Sequence, residues 1–122
     1  MSRSRIDFGK TGEDLACCEL ERRGYAILAR RYRTRRGELD IVARDGQTVV
    51  FVEVKARRDH AFGDAADAVH GRKRRRLTRL AQEYLTHHRL ANCSCRFDVV
   101  SIHMDEERPR IEVYQNAFDF TP

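Results

Sequence analysis

Two short runs near the middle of this chain, Gly37-Glu38-Leu39-Asp40 and Glu53-Val54-Lys55, set three acids and a lysine where packing alone would favour apolar residues. Carboxylates that face one another across a strand pair repel unless something positive lies between them. A divalent cation relieves that repulsion, and Mg²⁺ at about 2.0–2.1 Å is commonly held by one or two carboxylates, water and a substrate phosphate. A lysine beside such a centre can orient the attacking water and offset charge building on phosphorus, while the metal makes a nucleophile near neutral pH. The chemistry these residue types could perform is therefore metal-assisted phosphodiester hydrolysis. The plain alternative is a salt-bridge ladder on an exposed face, with Glu53 and Lys55 as partners. The flanking valines and Phe51 weigh against exposure.

The strands must deliver this geometry. In Val49–Lys55, alternation puts Val50, Val52 and Val54 on one side and Val49, Phe51, Glu53 and Lys55 on the other, both apolar upstream, as in a central strand covered on each face. In 38–43, Glu38, Asp40 and Val42 share one face and Leu39, Ile41 and Ala43 the other. Asp45-Gly46 between the strands signals a hairpin. A two-residue loop sets Glu38 opposite Glu53, with Asp40 on the diagonal at about 7–8 Å. A loop of Asp45 to Thr48 instead pairs Arg44 with Val49 and sets Asp40 directly against Glu53, and this longer loop is preferred. Either keeps all four charges on one face, whereas an odd slip would separate them.

These blocks resemble a known family. The acid, turn and Glu-x-Lys spacing is similar to the PD-(D/E)xK superfamily of restriction-endonuclease-like nucleases. More closely, Gly12-Glu13, Gly37-Glu38-Leu39-Asp40, Phe51 to Arg57, Phe62-Gly63, Lys73, Arg96-Phe97-Asp98-Val99-Val100 and Asn116-Ala117-Phe118 resemble the YraN family of small bacterial proteins, roughly from Gly9 to Phe118. The resemblance implies a restriction-endonuclease-like three-layer α/β/α sandwich, with Asp40 and Glu53 as ligands to Mg²⁺ or Mn²⁺ and Lys55 as the catalytic lysine. Archaeal Holliday-junction resolvases are similar in carrying a further acid on the first helix, a position Glu13 matches as a third ligand, and they make a homodimer an expectation. Leu39 stands where the superfamily label has proline.

The remaining elements can be read from the residues. A helix is expected from Thr11, a candidate N-cap, to about Arg23, stopped by Gly24. Its buried stripe of Ala16, Cys17 and Leu20 is continued by Glu13, which either reaches the site or simply complements the helix dipole. Strands are expected over 25–34, 38–43, 49–55, 96–103 and 110–114, with a turn at 105–109 and a short helix or ordered loop over 61–69. A second helix runs from Gly71 to Arg89 with Leu77, Leu80, Ala81, Tyr84 and Leu85 inward. Lys73 continues that row, so the first turn is a natural phosphate-holding surface. The order predicts an α/β sandwich around a mixed sheet of four or five strands.

The chain has 122 residues, 41% hydrophobic and 35% charged, which suits one domain over 1–122, its first eight residues expected as a flexible basic lead. No apolar run is long enough for a membrane span or signal peptide, so a cytoplasmic location is expected. The net charge of +5 gathers in Arg30 to Arg36, Arg57-Arg58 and Arg72 to Arg76. Lys73, Arg36, Arg57, Arg58, Arg72, Arg75 and Arg76 are candidate nucleic-acid contacts, DNA more than RNA, although a charge run is often only a solvated face. Cys17-Cys18 and Cys93-x-Cys95 lack zinc spacing and read as reduced thiols. Three functions are open: a Mg²⁺- or Mn²⁺-dependent nuclease using Asp40, Glu53 and Lys55 with Glu13 and Glu38 assisting, a non-catalytic nucleic-acid-binding module, or a basic surface for an acidic protein partner.

Overall fold

A computed structural model describes residues 2–57, 71–104 and 108–120, with side chains described from Thr11 onward. The elements run α1 (Ser2–Arg22), β1 (Ala26–Thr34), β2 (Gly37–Asp45), β3 (Thr48–Arg57), α2 (Gly71–His87), β4 (Cys95–His103) and β5 (Arg110–Phe118). Five strands form one sheet in sequence order. All neighbours are antiparallel except β3 and β4, which run parallel because the connection through α2 returns the chain to the same end of the sheet. The expected segment 61–69, and most of the turn at 105–109, lie outside the described residues.

The sheet is covered on both sides, as its apolar central strands require. Ala16, Cys17 and Leu20 of α1 pack with Ile41, Ala43, Val50, Val52, Val100 and Ile102. On the other side Leu77, Leu80, Ala81, Tyr84 and Leu85 of α2 meet Val42, Val49, Phe51, Phe97 and Val99. This is an α/β/α arrangement around a mixed five-stranded sheet, consistent with the restriction-endonuclease-like sandwich. The inward stripe of α2 is the one its heptad spacing predicts, joined by Thr78, whose hydroxyl donates to the Arg74 carbonyl at 2.8 Å.

The central hairpin takes the preferred register: Arg44 pairs with Val49. Asp45 and Thr48 also pair, so the turn itself is Gly46-Gln47, with Gly46 at φ 62°. Carried onward, this register sets Asp40 against Glu53, but the β2–β3 ladder ends at Ile41 and Val52. There the Val54 amide donates to the Asp40 carboxylate at 2.8 Å in place of a backbone carbonyl. The alternation breaks at this point. Leu39, expected on the side of Ile41 and Ala43, packs instead in the cluster beneath α2.

Helix α1 begins at Ser2, well before the expected cap, so Thr11 lies inside it and cannot be an N-cap. Gly12 is the reason a glycine is tolerated mid-helix: a Cβ at that position would lie 2.8 Å from Cβ of Ala56 on β3. Gly12 is thus a close-approach residue that lets the helix rest directly on the sheet. Gly12→Ala is expected to destabilise the protein by about 1–3 kcal/mol through overpacking. Adding Ala56→Gly should recover part of that loss in urea melts, and a double variant no more stable than Gly12→Ala would refute the contact as the cause.

Candidate active site

Asp40 at the start of β2, Glu53 and Lys55 near the end of β3, and Lys73 in the first turn of α2 converge between sheet and helix. Glu53 and Lys55 alternate onto the α2 side, as Phe51 does. Their placement under the helix, which sequence alternation alone could not phase, brings Lys73 Nζ to 2.9 Å from Glu53 Oε1, while Lys55 Nζ lies 3.9 Å from the same oxygen. The Glu53 side chain is only 12% exposed, so the charges interact with little solvent screening. Lys73, expected to grip phosphate at the surface, is therefore a member of the acid cluster. Ser101 of β4 pairs with Lys55 across the parallel ladder, a neighbour that became visible only with strand order known.

Burial, then the nearby Glu53 charge, pushes the Asp40 carboxyl up to about 7, against the pull of the Val54 N–H. Glu13 adds to the same upward push and Lys73 opposes it. Burial also lowers Lys55, and the adjacent Lys73 amine, within hydrogen-bonding reach, lowers it further. For Lys73, burial acts downward, but the contacts with Lys55 and Glu53 outweigh it and the net direction is up. The two amines are thus shifted in opposite directions, Lys55 down and Lys73 up. Lys73→Met is expected to move the titration of Lys55 upward, read by the carbon chemical shift of isotopically methylated lysine. An unmoved Lys55 would mean that burial alone sets it.

The two remaining candidate acids are engaged elsewhere. Glu13, buried on α1, accepts from Arg30 Nε at 3.3 Å and Arg31 Nε at 3.1 Å. Arg31 adopts the left-handed region, φ 53°, for which an arginine carries no sequence signature, and these two partners were not anticipated. Glu13 stands near enough to act on Asp40 through charge, with its carboxylate turned to β1 arginines. Glu38 accepts from Arg33 Nη2 at 2.9 Å. Arg57 closes β3, where its carbonyl accepts from the Met104 amide at 2.7 Å. Arg58 lies outside the described residues. Arg36, Arg72, Arg75 and Arg76 gather with Arg79 around a hollow of about 350 Å³ between the β1–β2 turn and α2.

Among the described residues no group of three or more His, Cys, Asp or Glu side chains gathers as a ready metal cage. Asp40 and Glu53 nonetheless fit a hard dication of the Mg²⁺ type, which uses one or two carboxylates and takes its other oxygens from water and phosphate. Burial first and the Glu53 charge second raise Asp40, and a cation between the two acids would oppose both effects. Such a pair with an amine of lowered pKa can hold a cation, position a phosphate and accept a proton from water.

The family model described as "Uncharacterised protein family UPF0102" matches residues 12–102. A UPF0102 protein of Pseudomonas aeruginosa strain PAO1 is 47% identical over 119 residues, covering 95% of each chain. One from Moorella thermoacetica is 45% identical over 120 residues, 97% of this chain and 100% of the relative, and one from Geobacter metallireducens is 44% identical over 98% of each. Among the described residues no helix is long and apolar enough to cross a membrane.

Proposed function

The chain belongs to the uncharacterised protein family UPF0102, the family its motifs resemble, and we propose that it binds nucleic acid and hydrolyses phosphodiester bonds, in DNA more than RNA, with Mg²⁺ or Mn²⁺. The observation that carries this reading is the convergence of Asp40, Glu53, Lys55 and Lys73 beneath an arginine-rich helix start. Asp40 and Glu53 would hold the ion, which when bound supplies Lewis-acid polarisation of a phosphoryl oxygen and a more acidic water. Lys55 orients the attacking water and takes its proton at Nζ, a task that the downward shift of this amine by burial and Lys73 favours. Lys73 fixes the Glu53 carboxylate and adds positive charge where phosphoryl charge develops.

One observation favours a second reading, a non-catalytic binding module: the Lys73 ammonium already satisfies a Glu53 oxygen at 2.9 Å and could replace a cation permanently. The two separate when the purified protein is incubated with branched, single-stranded and duplex DNA in Mg²⁺, Mn²⁺ or EDTA. Cleavage that requires the metal supports the enzyme. Binding without cleavage in either metal would leave the module.

A further inference from the structure

From the arginine-rich start of α2, the side of this helix away from the acid pair carries three adjoining hollows. The first, of about 350 Å³, is lined among the described residues by arginines, Arg36 and Arg79 among them. The second, about 580 Å³, shares Arg36 and Arg79 with the first and ends at Tyr32. The third, about 690 Å³, begins at Tyr32 and is lined by Leu28, Tyr84, His88 and Leu90 toward the β2–β3 turn. Shared residues make them one trough, arginine-rich at one end and aromatic at the other. From Arg72 to His88 it follows on the order of 24 Å of helix, the length of about seven stacked nucleotides at ~3.4 Å each.

The aromatic end is arranged for a flat ring. His88 is exposed and stacks on Tyr84 with ring centres 4.0 Å apart, and Tyr32 meets Tyr84 edge-on at 5.1 Å. Leu28, at 40% exposure, is the one large hydrophobic left in solvent among the described residues, and it lines this hollow. Glu83, the one carboxylate that lines the middle hollow among the described residues, bonds Arg36 Nε at 3.0 Å, so its charge is offset there. Phosphates match the arginine end, and only an unpaired base offers a free π-face and an apolar edge to the other, since a duplex keeps its base faces stacked inside.

We propose that this trough binds a single-stranded segment of nucleic acid, phosphates along Arg72, Arg75 and Arg79 and a base lodged among Leu28, Tyr32 and His88. The proposal rests on the nucleic-acid reading above and specifies its substrate as one with an unpaired strand. The arginine end of the trough begins at Arg72, beside Lys73 of the acid cluster, and the aromatic end lies at the far end of α2, so a strand seated in it would hold a junction or flap near the acids without occupying them.

Binding is measured by fluorescence anisotropy in EDTA, where cleavage is off, with a labelled single strand of about 12 nucleotides. His88→Ala and Leu28→Ser, both at exposed positions, are expected to weaken binding roughly 5- to 50-fold. An abasic strand should weaken the wild type similarly and the two variants little further. Arg75→Ser and Arg79→Ser should each flatten the dependence of log affinity on log salt by about 0.7. Equal affinity in wild type and variants, or a duplex that competes as well as the single strand, would overturn the trough. Trough binding without metal-dependent cleavage would sink only the hydrolase reading, and cleavage with variant-insensitive binding would sink only the trough.

Discussion

Asp40→Asn is expected to make the protein more stable at pH 8 while abolishing metal-dependent cleavage. Asp40 has an ordinary value of 3.8 and is pushed to about 7 in the fold, first by burial and then by Glu53. A carboxyl raised in this way is protonated in the folded chain and ionised in the unfolded one between those limits. The folded state therefore binds the extra proton, and this group's contribution to stability is largest near pH 4, falls as pH rises toward 7 and is flat above. About three pH units correspond to at most ~4 kcal/mol, an upper limit that relaxation around the ionised pair reduces. The amide keeps an oxygen for the Val54 N–H and removes the charge facing Glu53. A gain of about 1–3 kcal/mol at pH 8, shrinking to near zero at pH 4, is the expected difference between variant and wild type in urea melts. The same amide is a poor substitute for an anionic ligand, so cleavage should fall by about 10³-fold or more. A variant less stable at both pH values would refute the electrostatic strain, and one that still cuts would remove Asp40 from the site.

The parts of this site that were legible in the sequence are those set by a period of two. Alternation along Val49–Lys55 put Glu53 and Lys55 on the face of Phe51, and of the two registers that the Asp45-Gly46 signal left open the preferred one, pairing Arg44 with Val49, is observed, with the ladder ending at Ile41 and Val52. The contact between Lys73 and Glu53 depends on how α2 is rotated and slid over the sheet, which helical periodicity cannot set. Leu39 departs from simple alternation because the Asp40 side chain replaces a ladder acceptor at Val54, a substitution of side chain for backbone with no local signature. The left-handed Arg31, which brings its guanidinium to Glu13, is equally silent in composition. Gly12 carried a real signal, but a glycine near Thr11 reads as a helix start by default, and only the nearness of Ala56 reveals the close approach.

The same limit applies to Arg96, Asp98 and Asn116, which stood out in sequence as family blocks yet lie in a network of structural type. Strand β5 was expected to end at Tyr114 but runs to Phe118, because Asn116, at φ 52°, forms an irregularity that shifts the β4–β5 register and turns its amide toward Asp98. Asp98 is fully buried on β4 and accepts from Asn116 N at 2.9 Å, Arg96 Nε at 3.0 Å and the Tyr25 hydroxyl at 3.0 Å. Arg96 Nη2 reaches on to Asp45 at 2.9 Å, so one carboxylate joins the entry to β1, the β2–β3 turn, β4 and β5. Burial opposes the Arg96 charge, yet Asp98 and Asp45 together hold its guanidinium firmly protonated.

Asp98→Ala removes a fully buried acceptor shared by three donors and leaves Arg96 with Asp45 as its remaining acid, a loss of about 3–5 kcal/mol by the cost of breaking a buried pair. In a chain of this size that corresponds to roughly 10–20 °C in Tm. Tyr25→Phe removes a single hydroxyl that also accepts from Arg96 and Gln115 at 2.7 Å each, and should cost about 1–2 kcal/mol. Because both variants open the same network, their combination should fall short of the sum by at least ~0.5 kcal/mol in a double-mutant cycle. Strict additivity, or an Asp98→Ala melt within 1 kcal/mol of wild type, would mean that the four elements are held together by their apolar faces alone.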